Sequence, residues 1–565
     1  MRIRSITILA VAIVVCTVTV FTELAQTPAE SDSGAVSANQ IVDRAIQRER
    51  EIMRALTKYT PMVETYIQNL ESDHDLGAVP TNDKYFLAKL DLKHGLHDNS
   101  LLPAPGFAVK VKQLLASTYS IQFLPRGFAS MIFLDEKNFD RTNYDFAYVR
   151  REFLGQVRCF VFDVKPKTKT HDAKFIGRIW IEDQNFNIVR FDGTYQPSSG
   201  GHEYFHFDSW RENLTQDLWL PTYIYTEESD FPYFMSARKL HFKGQTRLWG
   251  YNAAGVNPEQ ELTGISVESD RVQDTAGANE NPSPIQNLRT WERQAEDNTL
   301  ARIQKAALLA PEGPVDQVLG TVVNNLEVTN NLDIQPPVRA RVLMTTPLES
   351  FTVGNTIVVS RGLIDVLPDE PSLAAILAHE LAHISLGHLL DTKYAFNDRL
   401  IFDDEQTFQW LELKRDEKEE VEADAKAAEF MKASPYKDKL GNAGLFLRAL
   451  QNRGPKLPNL LSAHLGNMIA SGGKVRRMAE LMSGAPVLET KKIEQIAALP
   501  LGSRLHVDPW DDRIELLQAK PLAPMFAREK MPFEVSPVFL NLKRQSTSQS
   551  SAQGTAQGAA QAVTK

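Results

Sequence analysis

Twice in this chain a glutamate sits between histidines at the spacing His-Glu-x-x-His, a set of residue types that binds zinc and moves protons. The second copy, His379-Glu380-Leu381-Ala382-His383, lies in a run of strong helix formers that continues to His388 with no proline after Pro371. Asp369-Glu370-Pro371 gives that run an acidic start and a proline suited to a first helical turn. On a helix, residues four apart lie on one face about 6 Å from each other, so both imidazoles reach one ion. Glu380 falls one step round, where it can take a proton from water at the metal without being a ligand. The competing reading is a pair of ordinary histidines on an apolar helix.

The first copy, His202-Glu203-Tyr204-Phe205-His206, has different neighbours. It follows Ser198-Ser199-Gly200-Gly201 and runs into Phe207-Asp208-Ser209-Trp210, which is strand-forming composition. In a strand, residues four apart share a face but stand about 13 Å apart. Zinc–nitrogen bonds are only about 2.0–2.1 Å, so that pair closes poorly on one ion. We read it as histidines on a strand surface.

A zinc site needs a third ligand. The metzincin pattern requires Gly at 386 and His at 389; this chain has Leu386 and Leu389, with Gly387 and His388 out of register. The other common solution is a glutamate from a later helix, and Glu419-Glu420-Val421-Glu422-Ala423-Asp424 offers one. Taken alone, the charged run Lys414–Glu420 reads as a solvated helix face. Its small residues change that reading, because Ala423 and Ala427 match Ala374, Ala378 and Ala382 on the histidine helix and let the backbones approach. Glu420 and Asp424 then share a face, Glu420 placed to ligate the metal and Asp424 to orient a ligand histidine. Glu419 and Glu422 compete with Glu420 as the ligand.

With these residues together, the chain resembles the M48 family of gluzincin endopeptidases over residues 335–515. The likeness rests on Val358-Val359-Ser360-Arg361-Gly362-Leu363-Ile364, on Leu377–His383 with a further His388, and on Glu420-x-Glu422-Ala423-Asp424. The resemblance implies one Zn²⁺ per chain held by His379, His383 and Glu420, with Glu380 as general base and Asp424 as a supporting acid. It also implies that a polypeptide substrate pairs in extended form with a strand near Phe351–Val359. The family often ends its catalytic region on His-Pro followed by Arg. This chain has His506-Val507-Asp508-Pro509 and then Arg513, so Arg513 is carried over as electrostatic support while His506 is displaced. The absence of membrane-length apolar runs beside the motif points to the soluble, exported members and to protein quality control in the cell envelope.

The elements that must position these residues are legible in outline. The fold class expected is α+β, a mainly helical gluzincin-like peptidase domain with a short β pair (Arg339–Ser360), preceded by an antiparallel β-rich domain. Residues 1–25 read as a signal peptide or N-terminal anchor: Arg2 and Arg4 precede an apolar run from Ile6 to Phe21, with a candidate cleavage point after Ala25. Membrane association is expected through that segment only, with the rest of the chain exported.

Residues 40–270 start with a helix (about 40–70) and turn to β texture, as in Arg158–Val164, Gly177–Glu182 and Asn187–Phe191. Their strand pattern resembles the open half-barrels of lipoprotein carriers. Residues 271–286 read as a linker, 287–520 as the peptidase domain, and 541–565 as a Ser/Gln/Ala/Gly-rich disordered tail. Whether a loop such as Thr392–Phe408 covers the site is not fixed by these residues.

A net charge of −9 argues against nucleic acid as a partner. Only Cys16 and Cys159 are present, so a chain without its leader has no internal disulfide and no cysteine-based zinc site. The alternative to an enzyme is a chaperone-like or lipid- or partner-binding protein with a structural zinc site. Intact Glu380 opposes it, since a structural site has no use for that carboxylate. Metal analysis of the purified protein is expected to give one zinc per chain, lost in His383→Ala.

Overall fold

A computed structural model describes residues 37–544 apart from 74–76, 94–95, 103–124, 136–137, 168–173, 197–204, 216, 233–238, 252–283, 389–412, 472, 490–504, 508–513 and 517–541. The leader, most of the linker, His202 and Glu203, the 392–408 loop, Arg513 and the 545–565 tail therefore lie outside the described residues.

The N-terminal half begins with α1 (Ala38–Leu56), started by a capping box in which Ser37 Oγ accepts from Gln40 N and Gln40 Oε1 accepts from Ser37 N. The helix stops at Leu56, short of the expected 70, because Pro61 and the run after it join the sheet. The strands are β1 (Met62–Asp73), β2 (Gly77–Asp91) and β3 (His97–Ser100), then, after the short helix α2 (Pro125–Ala129), β4 (Tyr144–Leu154), β5 (Val157–Pro166) and β6 (Phe175–Glu182). They continue with β7 (Ile188–Tyr195), β8 (Phe207–Thr215), β9 (Leu218–Pro232) and β10 (Lys239–Trp249). All ten form one antiparallel sheet in the order β3-β2-β1-β10-β9-β8-β7-β6-β5-β4, with β3 and β4 at its ends.

The strands bury both faces. Ile179, Ile181, Phe191 and Phe207 pack in one core with Ile41, Ala45 and Ile52 of α1. A buried bidentate pair, Glu49 with Arg211 at 2.6 and 2.7 Å, pins the helix to β8. The opposite face joins the core of the C-terminal half. Along it, register places Trp180, Arg190, Trp210, Tyr223, Arg247 and Glu64 in one cross-strand row. The Arg190 guanidinium lies 4.3 Å from the Trp180 ring and 4.4 Å from Trp210, and is held flat by Asp208.

The C-terminal half contains α3 (Pro284–Lys305), α4 (Pro314–Thr329), β11 (Arg339–Leu343), β12 (Glu349–Val353), β13 (Thr356–Ser360) and α5 (Arg361–Val366). Then come α6 (Glu370–Ser385), α7 (Glu417–Ala433), α8 (Leu440–Arg453) and the two-residue β14 (Asn467–Met468). The expected β pair is in fact a four-stranded sheet ordered β11-β13-β12-β14, with β11 parallel to β13. The parallel partner and β14 come from outside the hairpin, so local pattern did not reveal them. Gly362 in α5 is required by close approach: a Cβ there would fall 1.8 Å from the Thr346 carbonyl oxygen.

Glu64 ends the cross-strand row and reaches into the second half. It accepts from Thr346 N at 2.6 Å, Thr346 Oγ1 at 2.8 Å and Arg361 Nη2 at 2.8 Å, all buried. Asp83 of β2 accepts from Asn459 N and Leu460 N, and Trp249 Nε1 donates to Ala307 O. The β-rich half is thus built into the wall beside the four-stranded sheet. Breaking a buried pair strands a charge, whereas exposed pairs are nearly neutral. In denaturant unfolding, Arg361→Met is expected to cost about 3–5 kcal/mol. Loss of the exposed Arg141–Asp43 pair is expected to cost less than about 1 kcal/mol.

Candidate active site

The histidine helix α6 starts as the sequence implies: Asp369 caps it by accepting from Ser372 N at 3.0 Å, and Pro371 sits in the first turn. Its partner α7 is capped by Asp416, which accepts from Glu419 N, and its first turn is acidic. The two helices pack against each other, and Ala374, Ala378 and Ala382 of α6 and Ala423 and Ala427 of α7 are all fully buried. Methyl groups this small bring the backbones close enough for a glutamate on α7 to touch imidazoles on α6.

That contact is made. His379 Nε2 and His383 Nε2 lie 3.1 Å apart. Glu420 Oε2 is 3.4 Å from His379 Nε2, and Glu420 Oε1 is 3.4 Å from His383 Nε2. Ligand atoms on a tetrahedral zinc with bonds of about 2.0–2.1 Å stand about 3.3 Å apart, so this donor set has the right size and chemistry for the ion. Glu420 Oε1 is buried with no hydrogen-bond donor, an orphan that a cation would satisfy.

Around this triad the outer contacts are equally specific. His379 Nδ1 lies 2.8 Å from Asp424 Oδ1, and Asp424 Oδ1 also accepts from Met478 N at 2.8 Å. Met478 has φ 54°, a left-handed value that a methionine adopts only under constraint. Glu380, 1% exposed, accepts at Oε1 from Ser350 Oγ of β12 at 2.7 Å and from Arg477 Nη1 at 2.8 Å. Arg477 also donates from Nε to Glu420 Oε2 at 3.1 Å and from Nη1 to the Ser350 carbonyl.

Charge follows from these contacts. Burial alone would raise the Glu420 carboxyl, but the His379 and His383 imidazoles beside it and the charge of Arg477 hold it far below the usual range. Burial is likewise outweighed at Glu380 by Arg477, His379 and His383, so its pKa is lowered. Burial pushes His383 down and keeps it neutral, the form a metal needs. At His379 burial and Arg477 push down, yet Asp424, Glu420 and Glu380 prevail and raise it. Arg477 is raised, since Glu380, Glu420 and Asp424 outweigh its burial.

His379, Glu380, His383, Glu420 and Asp424 are therefore together, in the arrangement the spacing implied. The competing ligands are elsewhere: Glu419 faces Arg415 at 3.6 Å and Glu422 faces His388 at 3.4 Å. Arg513 lies outside the described residues, and among the described residues Arg477 places a guanidinium beside Glu380. Arg477 was not singled out from the sequence, because Lys474-Val475-Arg476-Arg477 carries no motif. His506 is in a strand, Leu505–Val507, paired with Ile514–Leu516. The expected strand edge is also revised. β13 is paired on both sides, and β12 pairs with β14 at Glu349 and Ser350, which leaves Phe351–Val353 beyond that pairing. His206 of the first motif lies just ahead of β8, largely exposed and ion-paired with Asp192 at 2.7 Å.

The profile of peptidase family M48 matches residues 331–402. This supports the M48 family, whose peptidases are zinc-dependent, and suggests a zinc metalloprotease. The match spans β11 to α6, including His379, Glu380 and His383, but stops before Glu420, Asp424 and Arg477. No curated protein matches the chain. Among solved structures, a DUF1329 family protein from Desulfovibrio piger is similar at 10% identity, covering 37% of this chain and 90% of that one, with a TM-score of 0.16. Because Arg477 neutralises two buried carboxylates, Arg477→Met is expected to lower kcat/KM on a casein substrate about 10- to 100-fold.

Proposed function

We propose that this chain is a zinc-dependent endopeptidase that hydrolyses extended or misfolded polypeptides. The observation that carries the reading is a buried Glu380, bonded to Arg477, placed beside two imidazoles and a carboxylate at ligand spacing, yet outside the ligand set itself. His379, His383 and Glu420 would hold the ion. Zinc there supplies a Lewis acid that polarises a scissile carbonyl and acidifies water.

The remaining steps belong to the protein. Ser350 and Arg477 both donate to Oε1 of Glu380, which holds the carboxylate in place and leaves Oε2 out of those two bonds. Glu380 takes that proton from the attacking water and passes it to the leaving amine. Asp424 holds the Nδ1 proton of His379, which keeps the Nε2 lone pair for the metal. An extended substrate suits the short strand β12, since Ser350 of that strand touches the base and residues 351–353 continue past β14.

Export rests on the leader-like residues 1–25, and a role in envelope protein quality control on the likeness to the exported members of the family. No helix among the described residues is long and apolar enough to cross a membrane. The test is Glu380→Gln beside wild type on casein, with metal analysis of both. We expect the variant to keep its zinc and lose digestion; digestion surviving in the variant would overturn the assignment.

A further inference from the structure

The sequence sets Gly387-His388 directly after the zinc-binding motif, in a place no standard ligand pattern uses. The structure gives the pair a purpose. Helix α6 ends in a double turn closure: His388 N donates to the His383 carbonyl at 3.0 Å, and Gly387 N donates to Ile384 O at 3.1 Å. Gly387 has φ +72°, which reverses the chain and folds His388 back over the helix end. The His388 ring stands against that of His383, centroids 5.2 Å apart, with only 10% of its side chain exposed.

The two rings meet nitrogen to nitrogen. His383 Nδ1 and His388 Nδ1 are 3.0 Å apart, so one must carry the proton and the other accept it. A histidine that presents Nε2 to a metal carries its proton on Nδ1, which makes His383 the donor. His388 then accepts at Nδ1 and holds its own proton on Nε2. That Nε2 lies 3.4 Å from Glu422 Oε2, on the first turns of α7.

We infer that Glu422 and His388 form a relay that fixes the tautomer and orientation of His383, as Asp424 does for His379. Each ligand imidazole is thereby backed by a carboxylate from α7, one directly and one through a second imidazole. His388 and Glu422 are positioning residues and bind no metal. The relay rests on His383 being a zinc ligand, and it assigns Glu422 a different task from the ligation it was a candidate for.

The experiment measures zinc affinity of the full chain, stripped of metal and titrated against a competing chelator. His388→Ala is expected to weaken zinc about 10- to 100-fold while still reaching one ion per chain. His388→Asn, whose Oδ1 falls near the lost Nδ1, should recover most of the loss. Glu422→Gln should weaken binding in the wild-type background and change nothing in the His388→Asn background, where the link to it is cut. Affinities of His388→Ala and Glu422→Gln within about twofold of a wild type that binds one zinc would overturn the relay and leave the zinc site standing. A wild type that takes up no zinc, or keeps it in Glu420→Ala, would instead overturn the site. If His388→Ala does not fold, Glu422→Gln decides alone, because that carboxylate is half exposed and its loss leaves the core untouched.

Discussion

A glutamate on one helix has to touch two imidazoles on another, and side-chain length sets how far apart the two backbones can be. The rest of the site depends on that distance. Buried small residues on both helices, Ala378 and Ala382 on α6 and Ala423 and Ala427 on α7, suit a close approach of the two backbones. A single leucine in this seam would overpack it and push Glu420 out of reach of the rings. The helix caps at Asp369 and Asp416 set where each helix starts, and the turn closure at Gly387 sets where α6 stops.

Close packing of this kind gathers charge where water is scarce. Glu380 and Glu420 both sit in the site as carboxylates, and two anions so near each other would drive one to take a proton. Arg477 prevents this by bonding to both at once. Its own backbone neighbour Met478 is held in a left-handed conformation and gives its N–H to Asp424, so one turn serves three acidic groups. The arrangement keeps Glu380 ionised and held in place, with its free energy supplied by the surrounding fold.

The β-rich half contributes to the same rigidity. Its cross-strand row of stacked rings and guanidinium groups ends at Glu64, which locks Thr346 and Arg361. Thr346 lies three residues before Glu349 and Arg361 directly follows β13, so the clasp grips both sides of the hairpin that carries Ser350. A carboxylate buried there is costly to leave without its partners, which ties the ten-stranded sheet to the wall of the candidate site.

From the sequence alone, the helix bearing His379, Glu380 and His383 was legible, because helical spacing and capping are local properties. So were Glu420 and Asp424, since the alanine pattern on two separate segments matched. Strand texture identified β5 and β6 within two residues and the start of β7, though β7 runs four residues further than expected, and the first helix was drawn too long because its apolar spacing ran on into β1. The four-stranded order around β12 depends on pairings between distant segments and left no local mark. Arg477 was hidden for the same reason. A guanidinium's role is fixed by which carboxylates it meets after folding, and Glu380 and Glu420 reach it from far along the chain. Residue type and spacing decided what chemistry the chain can perform, while tertiary packing decided which charged group steadies it.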